Sequence, residues 1–225
     1  MISIAIDGPA GVGKSTVSKA IAKKLGFIYV DTGAFYRAIA LFAVKNNIDE
    51  DNIRLYLQQI SIEPKFENNL QSLYLNGEDI TNQLRFEKIS IMASRISAVP
   101  EVRDFLLNLQ RNIALTNNVV MDGRDIGTVV LPHAAVKIFL TATTEKRAKR
   151  RYNEMIDKGE PADYNEILHN IIKRDSSDSI RKVAPLKPAD DSVIIDTSEY
   201  NLKESIECVL SIINKKLKTS AKFNL

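Results

Sequence analysis

Gly8-Pro9-Ala10-Gly11-Val12-Gly13-Lys14-Ser15 has the spacing G-x-x-x-x-G-K-[ST], and the rest of the chain is best read outward from it. Just before it, Ile2-Ser3-Ile4-Ala5-Ile6 is short, apolar and β-branched, which predicts a buried strand ending at Asp7-Gly8-Pro9. Just after it, a helical stretch from Ser15 to Leu25 stops at Gly26, a residue suited to the turn that closes a helix. Strand, glycine-rich loop and helix together make a phosphate-binding loop. Its glycines let backbone N–H groups curl around phosphate oxygens, and the helix start aims its free N–H groups at the same anion. Lys14 should reach the outer phosphates, and the Ser15 hydroxyl should bind Mg²⁺. Gly8, Pro9, Ala10, Gly11, Val12, Gly13, Lys14, Ser15 and Thr16 are therefore the expected ATP-binding residues, with Mg²⁺ as cofactor.

The same rhythm continues. Phe27 to Val30 reads as a second strand, and Asp31-Thr32-Gly33 supplies cap chemistry for a helix running to about Lys45. Val119 to Met121, Val136 to Leu140 and Val193 to Ile195 are further strands. Helices are expected over Pro100 to Leu115, Thr144 to Asp157, Asn165 to Arg181 and Leu202 to Leu217. Short apolar strands alternating with helices predict an α/β, three-layer P-loop NTPase fold with a parallel sheet covered on both faces. Residues 60–85 break the pattern: Ile60 to Phe66, Leu70 to Leu75 and Glu78 to Ile80 are separated by Glu67-Asn68-Asn69 and Asn76-Gly77. Asn-Gly is a strong hairpin signal, so a small antiparallel three-stranded insert is expected. The end of the chain, with Lys215, Lys216, Lys218 and Lys222, is expected to be frayed and solvated.

Composition narrows the function. With 31 basic and 28 acidic residues in 225, the net charge of +3 speaks against a polybasic arm, so no nucleic-acid partner is expected. One cysteine, Cys208, excludes a disulfide framework and a cysteine-based metal cluster. No stretch approaches the roughly 20 apolar residues that cross a bilayer, and Met1-Ile2-Ser3 opens without an export signal. A soluble, cytoplasmic monomer is the expectation. The two histidines, His133 and His169, are expected to be structural or exposed, and the apolar face at Phe105, Leu106, Leu109 and Ile113 to be core.

The class of P-loop protein follows from what accompanies the loop. A GTPase should carry Asn-Lys-x-Asp and Asp-x-x-Gly; the Asn-Lys pair Asn214-Lys215 leads into Lys216-Leu217, and the second motif is absent. A motor or transport ATPase needs a larger chain or a signature loop. A small-molecule kinase needs a second anion site and arginines to cover the phosphates. Thr32 at a helix start with Arg37 just over one turn on could meet one phosphate. Asp122-Gly123-Arg124-Asp125-Ile126-Gly127 follows a buried strand, where open α/β sheets bind ligands. Arg147, Arg150 and Arg151 share one helix face, an unpaired cluster suited to a lid over ATP. Arg174, Asp178 and Arg181 line another helix, either as a salt-bridge ladder or as a cluster for sugar and phosphate.

These four motifs, in this order, resemble bacterial cytidylate kinases, members of the P-loop nucleoside monophosphate kinase family, over nearly the whole chain. The resemblance implies one domain over residues 1–225, with a monophosphate-binding subdomain at about 33–100 carrying the hairpin insert and a lid at about 147–165. It implies ATP-dependent phosphorylation of CMP and dCMP. It implies that Arg37 and Arg124 hold the acceptor phosphate, with Thr32 beside them, and that Ser94, Arg103 and Asp125 read cytosine. Arg174 and Asp178 match the ribose-contacting pair, and Arg181 the position that touches base or phosphate. Lys14, Arg124, Arg147, Arg150 and Arg151 form the expected catalytic set. Thr32 stands where the family often has serine, and Ser176-Ser177 where charged residues are common. Two alternatives remain at this point: a kinase for another acceptor such as UMP, and a non-catalytic nucleotide-binding regulatory module.

Overall fold

The computed structural model describes residues 1–67, 69–84 and 86–223. The first half runs β1 (Ser3–Asp7), α1 (Lys14–Leu25), β2 (Ile28–Asp31), α2 (Thr32–Lys45), β3 (Ile62–Glu67), β4 (Leu70–Leu75), β5 (Glu78–Asp79) and α3 (Glu87–Ile96). The second runs α4 (Pro100–Thr116), β6 (Val119–Gly123), β7 (Val136–Thr141), α5 (Thr144–Asp157), α6 (Tyr164–Ile180), β8 (Val193–Asp196) and α7 (Leu202–Phe223). Five strands form one sheet in the order β2-β6-β1-β7-β8, with every neighbouring pair parallel.

Alternation along the strands divides the core in two. Ile4 and Ile6 of β1 pack with α1 and α7, while Ala5 packs on the opposite side with α2, α3 and α4. Tyr29 and Val120 join the first core; Val30, Val119 and Met121 join the second. A strand buried on both faces must be apolar throughout, which is why these strands read as unbroken hydrophobic runs. Leu106 and Ile113 are buried in the second core, with Phe105 and Leu109 packed against it, so that helix face is core as expected.

Turns follow their residues. Asp31 caps α2 by accepting the Ala34 N–H, and Gly26 closes α1 with φ +68°. The insert is a second, antiparallel sheet, β3-β4-β5, whose Asn76-Gly77 turn has positive φ at both residues, as a tight hairpin demands. It reaches the main sheet through Gln71 on β4, whose Oε1 accepts the Asp31 N–H at 2.7 Å.

Three features depart from the sequence reading. Residues 87–96 form α3, whose Ile89, Ala93 and Ile96 make a narrow buried stripe; no side chain caps its start, so the usual entry signal is missing. α7 continues past Leu217 to Phe223, so Lys215, Lys216 and Lys218 lie on a helix rather than in a frayed end, while residues 224 and 225 of that expectation lie outside the described residues. The segment after β6 closes a wide turn over Ile126–Val130, in which Leu131 N–H donates to Ile126 O at 2.7 Å. Among the described residues no helix is long and apolar enough to cross a membrane.

Candidate active site

Because the sheet is parallel, the ends of β1, β2, β6 and β7 open on one edge, where Asp7, Asp31, Gly123 and Thr141 lie. The phosphate loop runs from that edge to α1. Gly8 sits at φ +150°, and a β-carbon there would lie 2.1 Å from the Leu140 carbonyl oxygen, so no side chain is tolerated. Gly13, at φ +93°, precedes α1 and offers no capping side chain, which leaves the first helical N–H groups for an anion. Lys14 is buried, and its Nζ donates to Pro9 O at 2.7 Å. Burial pushes the Lys14 ammonium well below its ordinary pKa, and the positive charges of Arg124 and Arg174 push it further.

Carboxylates line the sheet edge. Asp122, on β6, accepts from Ser15 Oγ at 2.9 Å through one oxygen and from Tyr29 OH at 2.9 Å through the other. Burial, and then the neighbouring Asp31, raise its pKa to about 6. Thr32 Oγ1 donates to the Asp122 backbone oxygen at 2.8 Å. Asp7 accepts the Ile126 N–H at 2.8 Å and the Gly127 N–H at 2.7 Å, and burial raises its pKa to about 6 as well. The Ser15 hydroxyl proton is thus directed at Asp122, leaving its oxygen free to face a cation. Serine and carboxylate oxygens are the hard ligands that Mg²⁺ takes, so the residues present fit that ion.

Across from the loop, five arginines meet three carboxylates. Arg37 pairs with Asp31 at 2.6 Å, and Arg124 Nε with Asp178 at 2.8 Å. Arg103 pairs with Asp125 and also donates to Ser97 O at 3.1 Å. Arg181 lies 3.6 Å from Asp125 and 3.9 Å from Asp178. Burial, and then the charge of Arg124, push Arg174 down to about 10. Burial works against ionising Asp178, yet Arg124 and Arg174 outweigh it and hold that carboxyl below its usual range. The positive charges outnumber their partners: Arg37 Nε, Arg103 Nε, Arg174 Nε and Arg181 NH2 are buried without a hydrogen-bond acceptor among the described residues. Unpaired buried donors are costly, so a cluster of them is a site prepared for an anion.

The family model described as "Cytidylate kinase" matches residues 4–215 of this chain. The chain belongs to the cytidylate kinase family. It is 49% identical to a cytidylate kinase of Caldanaerobacter subterraneus subsp. tengcongensis over 96% of both chains. To that of Caldicellulosiruptor bescii it is 47% identical, over 96% of this chain and 97% of the relative. An uncharacterized protein from Eubacterium ventriosum, 14% identical, shares the fold with a TM-score of 0.50 over 97% of this chain and 98% of its own.

In this chain the arginines on α5 are not the unpaired cluster that their spacing suggests. Arg147 is buried; it donates to Ala10 O at 2.8 Å, Ala142 O at 3.0 Å and Thr144 Oγ1 at 3.1 Å, and pairs with Asp175 at 2.5 Å. Arg150 donates to Val12 O at 3.4 Å, to Tyr200 O at 3.1 Å and to both oxygens of Thr197. Arg151 is exposed and pairs with Glu154 at 3.3 Å. The carbonyls of the loop and of the β8–α7 connection neutralise the first two. Ser94 is half-buried on α3, and its carbonyl accepts from Ser97 Oγ at 2.7 Å. Ser176 and Ser177 are exposed, as are His133 and His169. Sequence reasoning missed Asp7, Tyr29, Tyr36 and Asp175. Asp7 ends the strand feeding the loop, a position that could have flagged it. Tyr36, whose ring lies 5.7 Å from the Arg103 guanidinium carbon, is flanked by Phe35 and gave no signal.

Proposed function

We propose that this protein transfers the terminal phosphoryl group of ATP to CMP and dCMP, giving CDP and dCDP. The four buried guanidinium nitrogens without acceptors, in a chain of the cytidylate kinase family, carry the reading. In it, Arg37, Arg124 and Arg174 hold the acceptor phosphate and ribose with Thr32 and Asp178, while Arg103, Asp125, Arg181 and Ser94 read cytosine. Cytosine offers an amine donor and an N3 acceptor, whereas uracil reverses that edge. An Arg103–Asp125 pair can meet the first pattern, and its buried polar groups would go unpaired against the second.

The acceptor phosphate has a second pKa of about 6 and is already a dianion at neutral pH, so no general base is required. The work left to the chain is bringing two polyanions into line. The loop N–H groups and Lys14 take the donor phosphates, and the guanidinium cluster takes the acceptor; positioning and charge stabilisation then make up the catalysis. Ser15, supported by Asp122, would hold Mg²⁺, which neutralises donor-phosphate charge when bound. Residues about 33–100 form the monophosphate-binding subdomain in this reading, and about 147–165 a lid that closes to exclude water, with Arg147 and Arg150 bracing the donor loop and only Arg151 exposed. The enzyme acts as a cytoplasmic monomer on small molecules. A panel of nucleoside monophosphates with ATP and Mg²⁺, followed by coupled detection of ADP, tests this: CMP and dCMP should be the leading acceptors. Preference for another acceptor, or no turnover with any, would replace the reading.

A further inference from the structure

Arg174 and Asp175 are neighbours on α6 yet engage different parts of the cleft. Arg174 belongs to the buried guanidinium cluster, where Arg124 and Asp178 act on its charge. Asp175 engages the phosphate loop: its Oδ1 accepts the Ala10 N–H at 3.2 Å, and its Oδ2 pairs with Arg147 at 2.5 Å. The same Arg147 nitrogen donates to Ala10 O at 2.8 Å, so both backbone groups of Ala10 are gripped. Next along the loop, the place for a β-carbon on Gly11 is 3.5 Å from Arg147 Cβ and 3.6 Å from Ile171 Cδ1, so α5 and α6 pack directly on the loop. Ala10 lies in a segment whose N–H groups exist to meet phosphate, and here a carboxylate from the acceptor-side helix meets one of them.

We propose that Asp175 is a positioning residue that ties the donor loop to the acceptor-binding face of α6, so that each nucleotide organises the site for the other. The inference rests on the kinase reading above. A helix transmits displacement as a rigid body, and Asp175 is one residue, about 1.5 Å of rise, from Arg174. When the Arg174 and Asp178 side chains settle on an acceptor, Asp175 moves with them and resets Ala10. By linkage, the effect of acceptor on donor affinity equals that of donor on acceptor.

The test is calorimetric binding of the β,γ-imido analogue of ATP, with Mg²⁺, with and without saturating CMP, to the unaltered chain and to Asp175→Ala and Asp175→Asn. In the unaltered chain CMP should tighten the analogue about fivefold or more, within the usual span of such couplings. In Asp175→Ala the ratio should fall to within about twofold of one while CMP alone still binds within about twofold of normal. Asp175→Asn keeps an acceptor oxygen for Ala10 but loses the ion pair, and should lie between; it also decides the matter should the alanine variant not fold. A coupling ratio unchanged in both variants, or equal to one in the unaltered chain, would overturn the proposal. So would an equal loss of affinity for CMP alone and for the analogue alone, which marks plain structural damage. Failure of the kinase reading is separately visible, as an unaltered chain that does not phosphorylate CMP.

Discussion

The arginines around Arg174 and the pair Arg147 and Arg150 on α5 share a residue type and a location beside the cleft, but differ in how their N–H groups are spent. The first set leaves four buried nitrogens without acceptors. The second is saturated: Arg147 reaches three oxygens and a carboxylate, and Arg150 reaches four oxygens, mostly of the backbone. Charge alone does not mark a ligand site; unmet hydrogen-bonding capacity does. A saturated guanidinium acts as mortar between segments, and an unsaturated one waits for an anion.

The largest expected effect tests the loop that both sets adjoin. Lys14→Ala should lower turnover by about 10³-fold, the scale for losing one strong electrostatic donor, with an unchanged melting temperature. Near-normal turnover would remove Lys14 from the chemistry. Next, Arg147→Ala should destabilise the empty protein by about 3 kcal/mol, because it strands Ala10 O, Ala142 O and the Asp175 carboxylate. Urea unfolding measures this, and a change below about 1 kcal/mol would erase the contrast between the two sets.

A pH dependence of similar scale comes from Asp7. Its folded pKa, about 6, lies above the ordinary 3.8, so the folded state holds the proton more tightly. Its burial penalty is absent below 3.8, builds as pH rises toward 6 and is complete above it, reaching roughly 3 kcal/mol. The unfolding free energy of the unaltered chain, measured against Asp7→Asn across pH 4 to 7, should show a relative loss as pH rises. A flat difference would mean the carboxylate is not desolvated.

Smaller effects sharpen the comparison at the acceptor end. Arg174→Met should leave the empty protein as stable or about 1 kcal/mol more so, since burial and the Arg124 charge both disfavour that guanidinium and its Nε has no acceptor among the described residues, while raising the KM for CMP more than that for ATP. A stability loss as large as that of Arg147→Ala would place both arginines in one class. Finally, Arg103→Ala should relax the preference for CMP over UMP by about tenfold, with ATP affinity kept. An unchanged preference in steady-state kinetics would move base reading elsewhere.

The parallel sheet, the phosphate loop and the hairpin were legible because each is fixed by local rules: β-branched runs, glycines at left-handed positions, Asn-Gly. The guanidinium cluster was legible through its family motifs: Arg103, Asp125, Arg181, Asp178 and Arg124 form a chain of ion pairs whose charges act on Arg174, while Arg37 pairs separately with Asp31. Saturation of Arg147 and Arg150 was not legible, because their acceptors are carbonyl oxygens, which every residue carries and no sequence pattern marks. Asp175 lay hidden for a related reason: its partners are a backbone N–H 165 positions away and an arginine read as mobile. The helix over 87–96 was missed because its stripe is only three residues wide and its start has no cap.

The grip on the phosphate loop has a consequence for how the protein folds. The motif occupies residues 8–15, but Ala10 and Val12 are fastened from more than a hundred positions away by Arg147, Arg150 and Asp175, and Arg150 is anchored in turn on Thr197 and Tyr200. Such long-range closures form late and slowly. A segment that stops short of α5 therefore carries the whole signature for nucleotide capture without any of the braces that shape it, and one that stops short of β8 still lacks the anchor of Arg150.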